Sequence, residues 1–312
     1  MKTRTVTLMI LVLTIGTLFN PVQARAAREE QEISRSVISV IDSRNKVITL
    51  THQPERIISL SPNITETIFA LGAEQYLKGR TDYCDYPEQA RIIPSMGDLL
   101  TPSVERIIAA APDVVIISNL GQLQTIESIE LAGIPVAFLD EPETMDGTFR
   151  IIEKVGVLTT RQTEASQLIA EMKEQLNQIT QQNAGRRPTV YYAAGFGEWG
   201  DFTATGDTFI HDIITLAGGD NIASDARNWT FQLELIHAYD PDIIILPALW
   251  GSTYAQTYHQ FTTHPSYKSL TAVTNDAIVT IESNMIERQG PRSAEAGLLL
   301  AEQFAKVKDR WQ

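Results

Sequence analysis

The chain is 312 residues long and carries 38 acidic against 25 basic side chains, a formal net charge of −13. So acidic a surface gives a nucleic-acid partner no electrostatic support, and the length is ample for two domains. The single cysteine, Cys84, excludes an internal disulfide and stands too far from the N-terminus to be a lipid-attachment cysteine.

The first 26 residues read as a secretory signal. Lys2 and Arg4 precede an apolar run from Val6 to Phe19, and small-residue cleavage sites end at Ala24 and Ala26. As a helix that run rises only about 21 Å, less than the roughly 30 Å hydrocarbon core it would have to cross. The mature chain is expected to be exported to the periplasm, soluble and not lipid-anchored. In 27–53, two short stretches, Ser36–Ile41 and Lys46–Thr51, flank Asp42–Asn45 and predict an edge hairpin. An N-terminal lobe is expected over 54–142. It opens with a strand at Arg56–Leu60, then Ser61 as N-cap and Pro62 at the first helical position. Thr101-Pro102 repeats the device ahead of the helix carrying Glu105, and Ile134–Leu139 reads as a further strand. Over 143–185, Ala165, Leu168, Ile169, Met172, Leu176 and Ile179 follow helical spacing opposite a polar face. They predict one long helix joining the lobes and ending near Asn183–Gly185. The C-terminal lobe, 186–312, contains strands at Thr189–Ala193 and Ala277–Ile281.

The two lobes are written as a repeat. Glu105–Ile117 matches Glu234–Leu246 without a gap, each a short helix, a Pro-Asp turn (Pro112-Asp113, Pro241-Asp242) and a buried β-branched strand. A weaker echo pairs Glu66–Glu74 with Asp212–Asp220, two helices stopped by Gly72 and Gly218. The fold class implied is α/β: two similar lobes, each a central, mostly parallel sheet flanked by helices, joined by one long interlobe helix.

Chemistry on a ligand finds no support. Gly195, Gly197 and Gly200 form a G-x-G-x-x-G after a strand, but no helix begins inside it to meet a pyrophosphate. Nucleophile-elbow, zinc-protease, C-x-x-C and phosphate-loop motifs are absent, and the five histidines are scattered. Tyr191 and Tyr192 would point to opposite faces of their strand, so at most one could reach a metal. No enzyme activity, catalytic residue, protein-held metal or cofactor is expected; an exported enzyme on the same scaffold would need a nucleophile–base pair. What stands out instead are aromatics outside periodic segments: Tyr83, Tyr86, Phe196, Trp199, Trp229 and Trp250, the equipment for a large flat ligand. Arg288 and Arg292 follow a strand and could meet a ligand, or pair with Glu287 or Glu295. Glu105 and Glu234, equivalent in the repeat, would offer one acid per lobe to a dimeric membrane partner.

These residues resemble the substrate-binding proteins of cobalamin and iron-chelate ABC importers, over nearly all of the chain from Pro54 onward. They are most similar to the cobalamin-binding member. Asp82–Ala90 is similar to that family's loop with a ligand-contacting tyrosine, which falls on Tyr83. Ser283–Arg292 is similar to its second-lobe loop, with the contacting arginine on Arg288, and Trp229 matches a contacting tryptophan. A family tryptophan falls on Leu99 here and a loop aspartate on Asn284, departures that leave a ferric siderophore or haem as the alternative ligand. The resemblance implies a monomer that binds a metal chelate between its lobes and docks on an ABC permease dimer, with its ATPase subunits, through Glu105 and Glu234.

Overall fold

Asp42 organises the turn of the first element. Its carboxylate accepts the Arg44 and Lys46 amides at 2.9 and 3.0 Å, so β1 (Ile38–Ile41) and β2 (Val47–Leu50) pair antiparallel with Ile38 opposite Leu50. The computed structural model describes residues 37–118, 122–182, 187–197, 200–249 and 251–310. The expected signal segment 1–26, Trp199, Trp250 and the expected helix end near Asn183 lie outside them. The hairpin is a sheet of its own and not the edge of the neighbouring one. Its turn, rather than a strand, meets the next sheet: the Ser43 amide donates to the Phe138 carbonyl at 2.8 Å.

The N-terminal lobe runs β3 (Ile57–Ser59), α1 (Pro62–Ala70), β4 (Leu77–Arg80), α2 (Val104–Ala109), β5 (Val114–Ser118), α3 (Leu123–Leu131) and β6 (Val136–Leu139). Its sheet, ordered β4-β3-β5-β6, is entirely parallel. Strands buried on both faces explain the unbroken β-branched run: Ile57, Val114 and Ile116 enter one core, while Ile58, Val115 and Ile117 enter a second beneath α2 and α3. Pro62 opens α1 as expected, but the Ser61 hydroxyl accepts the Ser118 amide at 2.8 Å instead of capping the helix. Ser103, not Thr101, caps α2.

The region predicted to hold one joining helix holds two, α4 (Met145–Leu158) and α5 (Gln162–Gln182), separated by a turn with Thr160 at φ 56°. The linking helix is α4. It packs on α1 and β1 from one lobe and on α5 and α6 (Phe209–Leu216) from the other, whereas α5 lies along α4 and α11 (Ser293–Asp309). Close approach is required where the pair turns: a side chain at Gly156 would stand 2.6 Å from the Ala165 methyl. The reason for the difference is burial. Nine of the fourteen residues of α4 are buried, among them Met145, Phe149, Ile151, Ile152, Val155 and Leu158, which leaves Asp146, Arg150, Glu153 and Lys154 along one open face, while α5 keeps the one-sided stripe read in the sequence.

In the C-terminal lobe, β7 (Thr189–Tyr192), β9 (Asp220–Asn221), β11 (Ile243–Ile245) and β12 (Ile278–Val279) form a parallel sheet ordered β12-β11-β7-β9. β8 (Asp201–Phe202) and β10 (Thr230–Phe231) form a small antiparallel ribbon of their own, and the other helices are α7 (Leu233–Tyr239), α8 (Tyr254–Thr263), α9 (Thr271–Thr274) and α10 (Ser283–Ile286). The repeat read from sequence is thus one topology used twice. Its turn acids act alike: Asp113 accepts the Glu55 and Arg56 amides at 2.8 and 3.0 Å, and Asp242 accepts the Thr189 amide at 2.9 Å, each tethering the start of the central strand. Gly72 and Gly218, at φ 64° and 87°, end α1 and α6 with the same pair of returning amides. Among the described residues no helix is long and apolar enough to cross a membrane.

Candidate functional site

Loops at the C-terminal ends of the strands in both lobes face one another across a cleft, the place where parallel sheets present ligand sites. The cleft has two adjoining chambers of about 450 and 1160 Å³. Tyr83 and Leu99 from the first lobe and Asn284, Glu287 and Arg288 from the second line both. Trp229 joins them in the smaller chamber. Its backbone is left-handed, φ 62°, in a turn held by the Thr205 hydroxyl, which accepts the Trp229 amide at 3.1 Å, and by Asp207, which accepts the Asn228 amide at 3.1 Å. Five of the residues expected from sequence therefore meet at one place, although they come from segments far apart in the chain.

Arg288 does not pair with Glu287. Its guanidinium crosses the seam between the lobes to Glu66 at 2.9 Å, to Asp85 at 2.9 Å and to the Tyr83 carbonyl at 3.0 Å. Arg292 takes the same Glu66 carboxylate at 2.8 and 2.9 Å, stands over the Tyr86 ring at 3.9 Å and reaches Glu282 at 3.4 Å, so Glu295 is not its partner either. The Glu66 side chain is only 2% exposed. Nearby, the Asn63 amide donates to the Gln289 carbonyl at 3.1 Å, and the Gln289 amide donates to the Pro142 and Thr144 carbonyls ahead of α4. The floor of the cleft is thus an interlobe polar seam with a doubly paired acid at its centre.

Other expected residues lie elsewhere. Phe196, half-buried, packs edge-on against Phe261 and Tyr267 of the second lobe's core, with ring centroids 4.9 and 5.6 Å apart. The glycine-rich loop at Gly195 pairs with Phe202 in a bridge and starts no helix. Both adjacent tyrosines are buried; the Tyr192 hydroxyl donates to Glu287 at 2.9 Å, and no group of three His, Cys, Asp or Glu converges among the described residues. Partial burial pushes the Glu287 carboxyl above its usual range, against the opposing pull of the Tyr192 bond, yet its side chain remains open to cleft solvent. Glu105 and Glu234 are exposed in the first turns of α2 and α7. Its own backbone amide and the Ser103 hydroxyl, 3.0 Å away, hold the Glu105 carboxyl below its usual range.

Sequence reasoning passed over Glu66, Asn63, Glu287 and Gln289. A signal for Glu66 existed in the weaker echo, which sets it opposite Asp212. That residue also works at the seam, accepting the Met145 amide at 2.8 Å at the start of the linking helix.

The family model described as periplasmic binding protein matches residues 57–285, and the chain belongs to that family. A cobalamin-binding protein of Halobacterium salinarum is 28% identical over 272 residues, covering 84% of this chain and 73% of its own. An uncharacterised ABC transporter substrate-binding lipoprotein of Bacillus subtilis is 24% identical over 292 residues, covering 91% and 90%. Among solved structures, the apo form of a periplasmic haem-binding protein from Roseiflexus superposes with a TM-score of 0.73 at 25% identity, covering 81% of this chain and 98% of the other.

Proposed function

We propose that this member of the periplasmic binding protein family captures a corrinoid, cobalamin or a close relative, between its lobes and delivers it to an ABC permease. The observation that carries this reading is the convergence of Tyr83, Leu99, Trp229, Asn284 and Arg288 on one interlobe cleft. The larger chamber, about 1160 Å³, exceeds the roughly 300–1,000 Å³ usual for drug-sized ligands and suits a large chelate. The Halobacterium relative points to cobalamin. A haem or ferric siderophore is the second reading, favoured by the Roseiflexus haem-binding structure and by Leu99 standing where the resemblance places an aromatic platform.

The protein acts by binding alone. Aromatic and polar loops from both lobes hold the chelate, and Glu105 and Glu234, one per lobe at matching positions, meet basic sockets on the two permease subunits. The mature form works in the periplasm. Absorbance and tryptophan-fluorescence titrations with cobalamin, cobinamide, haem and ferric siderophores test the reading. Saturable corrinoid binding weakened at Tyr83 or Trp229 supports it; binding of haem or a siderophore alone replaces the ligand and keeps the transport role.

A further inference from the structure

The larger chamber is acidic where it meets solvent. Its described charged lining comprises the acids Asp82, Asp85, Asp98, Glu282 and Glu287 and the bases Arg91 and Arg288. The bases are spent or remote. Arg288, whose side chain is 11% exposed, is already held by Glu66, Asp85 and a carbonyl, so it has little charge to offer a ligand. Arg91 is largely in solvent and approaches Asp85 at 3.5 Å. Asp85 is thereby matched, and Glu282 reaches Arg292. Three acids have no ion-paired base among the described residues. Asp82 accepts the Ser95 hydroxyl at 2.6 Å, Asp98 accepts the Leu100 amide at 2.8 Å, and Glu287 accepts the Tyr192 hydroxyl at 2.9 Å. Each of those donors is neutral, so no ion pair offsets these three carboxylates, all of which line the chamber, and only Arg288 stands near enough to act on one of them, Glu287.

Resting on the reading of the cleft as a chelate site, we propose that it is a charge filter: it takes large chelates with an uncharged or cationic rim and rejects those whose rim carries carboxylates or catecholates, with Glu287 and Asp98 setting the discrimination. Two mechanisms act together. Unpaired carboxylates beside low-dielectric walls repel an incoming anion at close range. The same oxygens accept hydrogen bonds from primary amides. A multiply anionic chelate would need a counter-cation in the cleft, and Arg288 is unavailable for that unless the Glu66 seam is broken.

The test is an equilibrium titration of the mature protein with aquacyanocobinamide, cyanocobalamin and haemin, at low and at physiological salt. The wild type is compared with Glu287→Gln, Asp98→Asn and the double variant. Both changes are isosteric and keep an acceptor for Tyr192 or for the Leu100 amide. The expected result is that both corrinoids bind the wild type more tightly than haemin does. Haemin should gain about fivefold for each charge removed, and its dependence on salt should flatten in the double variant. Haemin binding the wild type as tightly as the corrinoids, or gaining nothing from either substitution, overturns the filter while leaving the chelate-binding reading intact. Binding of none of the three probes overturns that reading and the filter with it.

Discussion

Glu66 and Asp212 stand at matching positions on the helices that follow the first strand of each lobe, and they meet the seam in different ways. Glu66 reaches into the opposite lobe and takes two guanidiniums, Arg288 and Arg292. Asp212 stays on its own side and accepts the Met145 amide that begins the linking helix. Within their four-stranded sheets the lobes agree, down to Asp113 and Asp242 tethering the central strands. The duplicated unit has therefore kept the bonds that close each sheet and diverged where its neighbours differ, at the seam, at the hairpin that meets only the first sheet and at the ribbon found only in the second lobe.

Removing the two acids in turn should break the comparison most sharply. Glu66→Ala leaves two nearly buried guanidiniums short of their shared partner, and should lower stability by about 3–5 kcal/mol in denaturant unfolding. Asp212→Ala loses one charge-assisted bond at a helix start and should lower it by about 1–2 kcal/mol. Equal losses would mean that the seam pairing contributes no more than a cap. The docking acids are predicted to behave as equals: Glu105→Lys and Glu234→Lys should each depress uptake in reconstituted vesicles, the double change by about two orders of magnitude, with chelate affinity unchanged. A smaller effect separates the lobes' apolar contributions. Trp229→Ala should weaken ligand binding by about 2 kcal/mol, roughly thirtyfold, and Leu99→Ala by less, because an indole covers more ligand surface.

The smallest effect concerns Glu287. Its folded-state pKa lies above the ordinary 4.5, so the native protein binds this proton more tightly than the unfolded chain. Stability from this group is then greatest at low pH and falls as pH rises from about 4.5 through the raised value. Glu287→Gln should remove that slope in thermal melts taken across the interval, and an unchanged slope would place its origin in another carboxyl.

Much of the fold was legible because its signals act over a few positions. The β-branched runs at Val114–Ile117 and Ile243–Leu246, the Pro-Asp turns and the glycine stops each declare themselves locally, and their repetition implied two like lobes before any contact was known. The linking helix was misplaced because the longer stripe of α5 drew the reading, although α4, with Asp146, Arg150, Glu153 and Lys154 along one face, is amphipathic as well. Phe196 shows the same limit: an aromatic in a glycine-rich loop looks fully available, and only the folded chain brings Phe261 and Tyr267 against it.

Local pattern and repetition were thus sufficient for the class of fold, the pair of like lobes and five of the residues that line the cleft. The pairing of Arg288 required the folded chain. Glu66 lies 222 positions away in sequence, and nothing in either residue's neighbourhood names the other. Charge in a cleft depends on which groups are neutralised at a distance of about 3 Å, so it is set by the meeting of the lobes and not by composition.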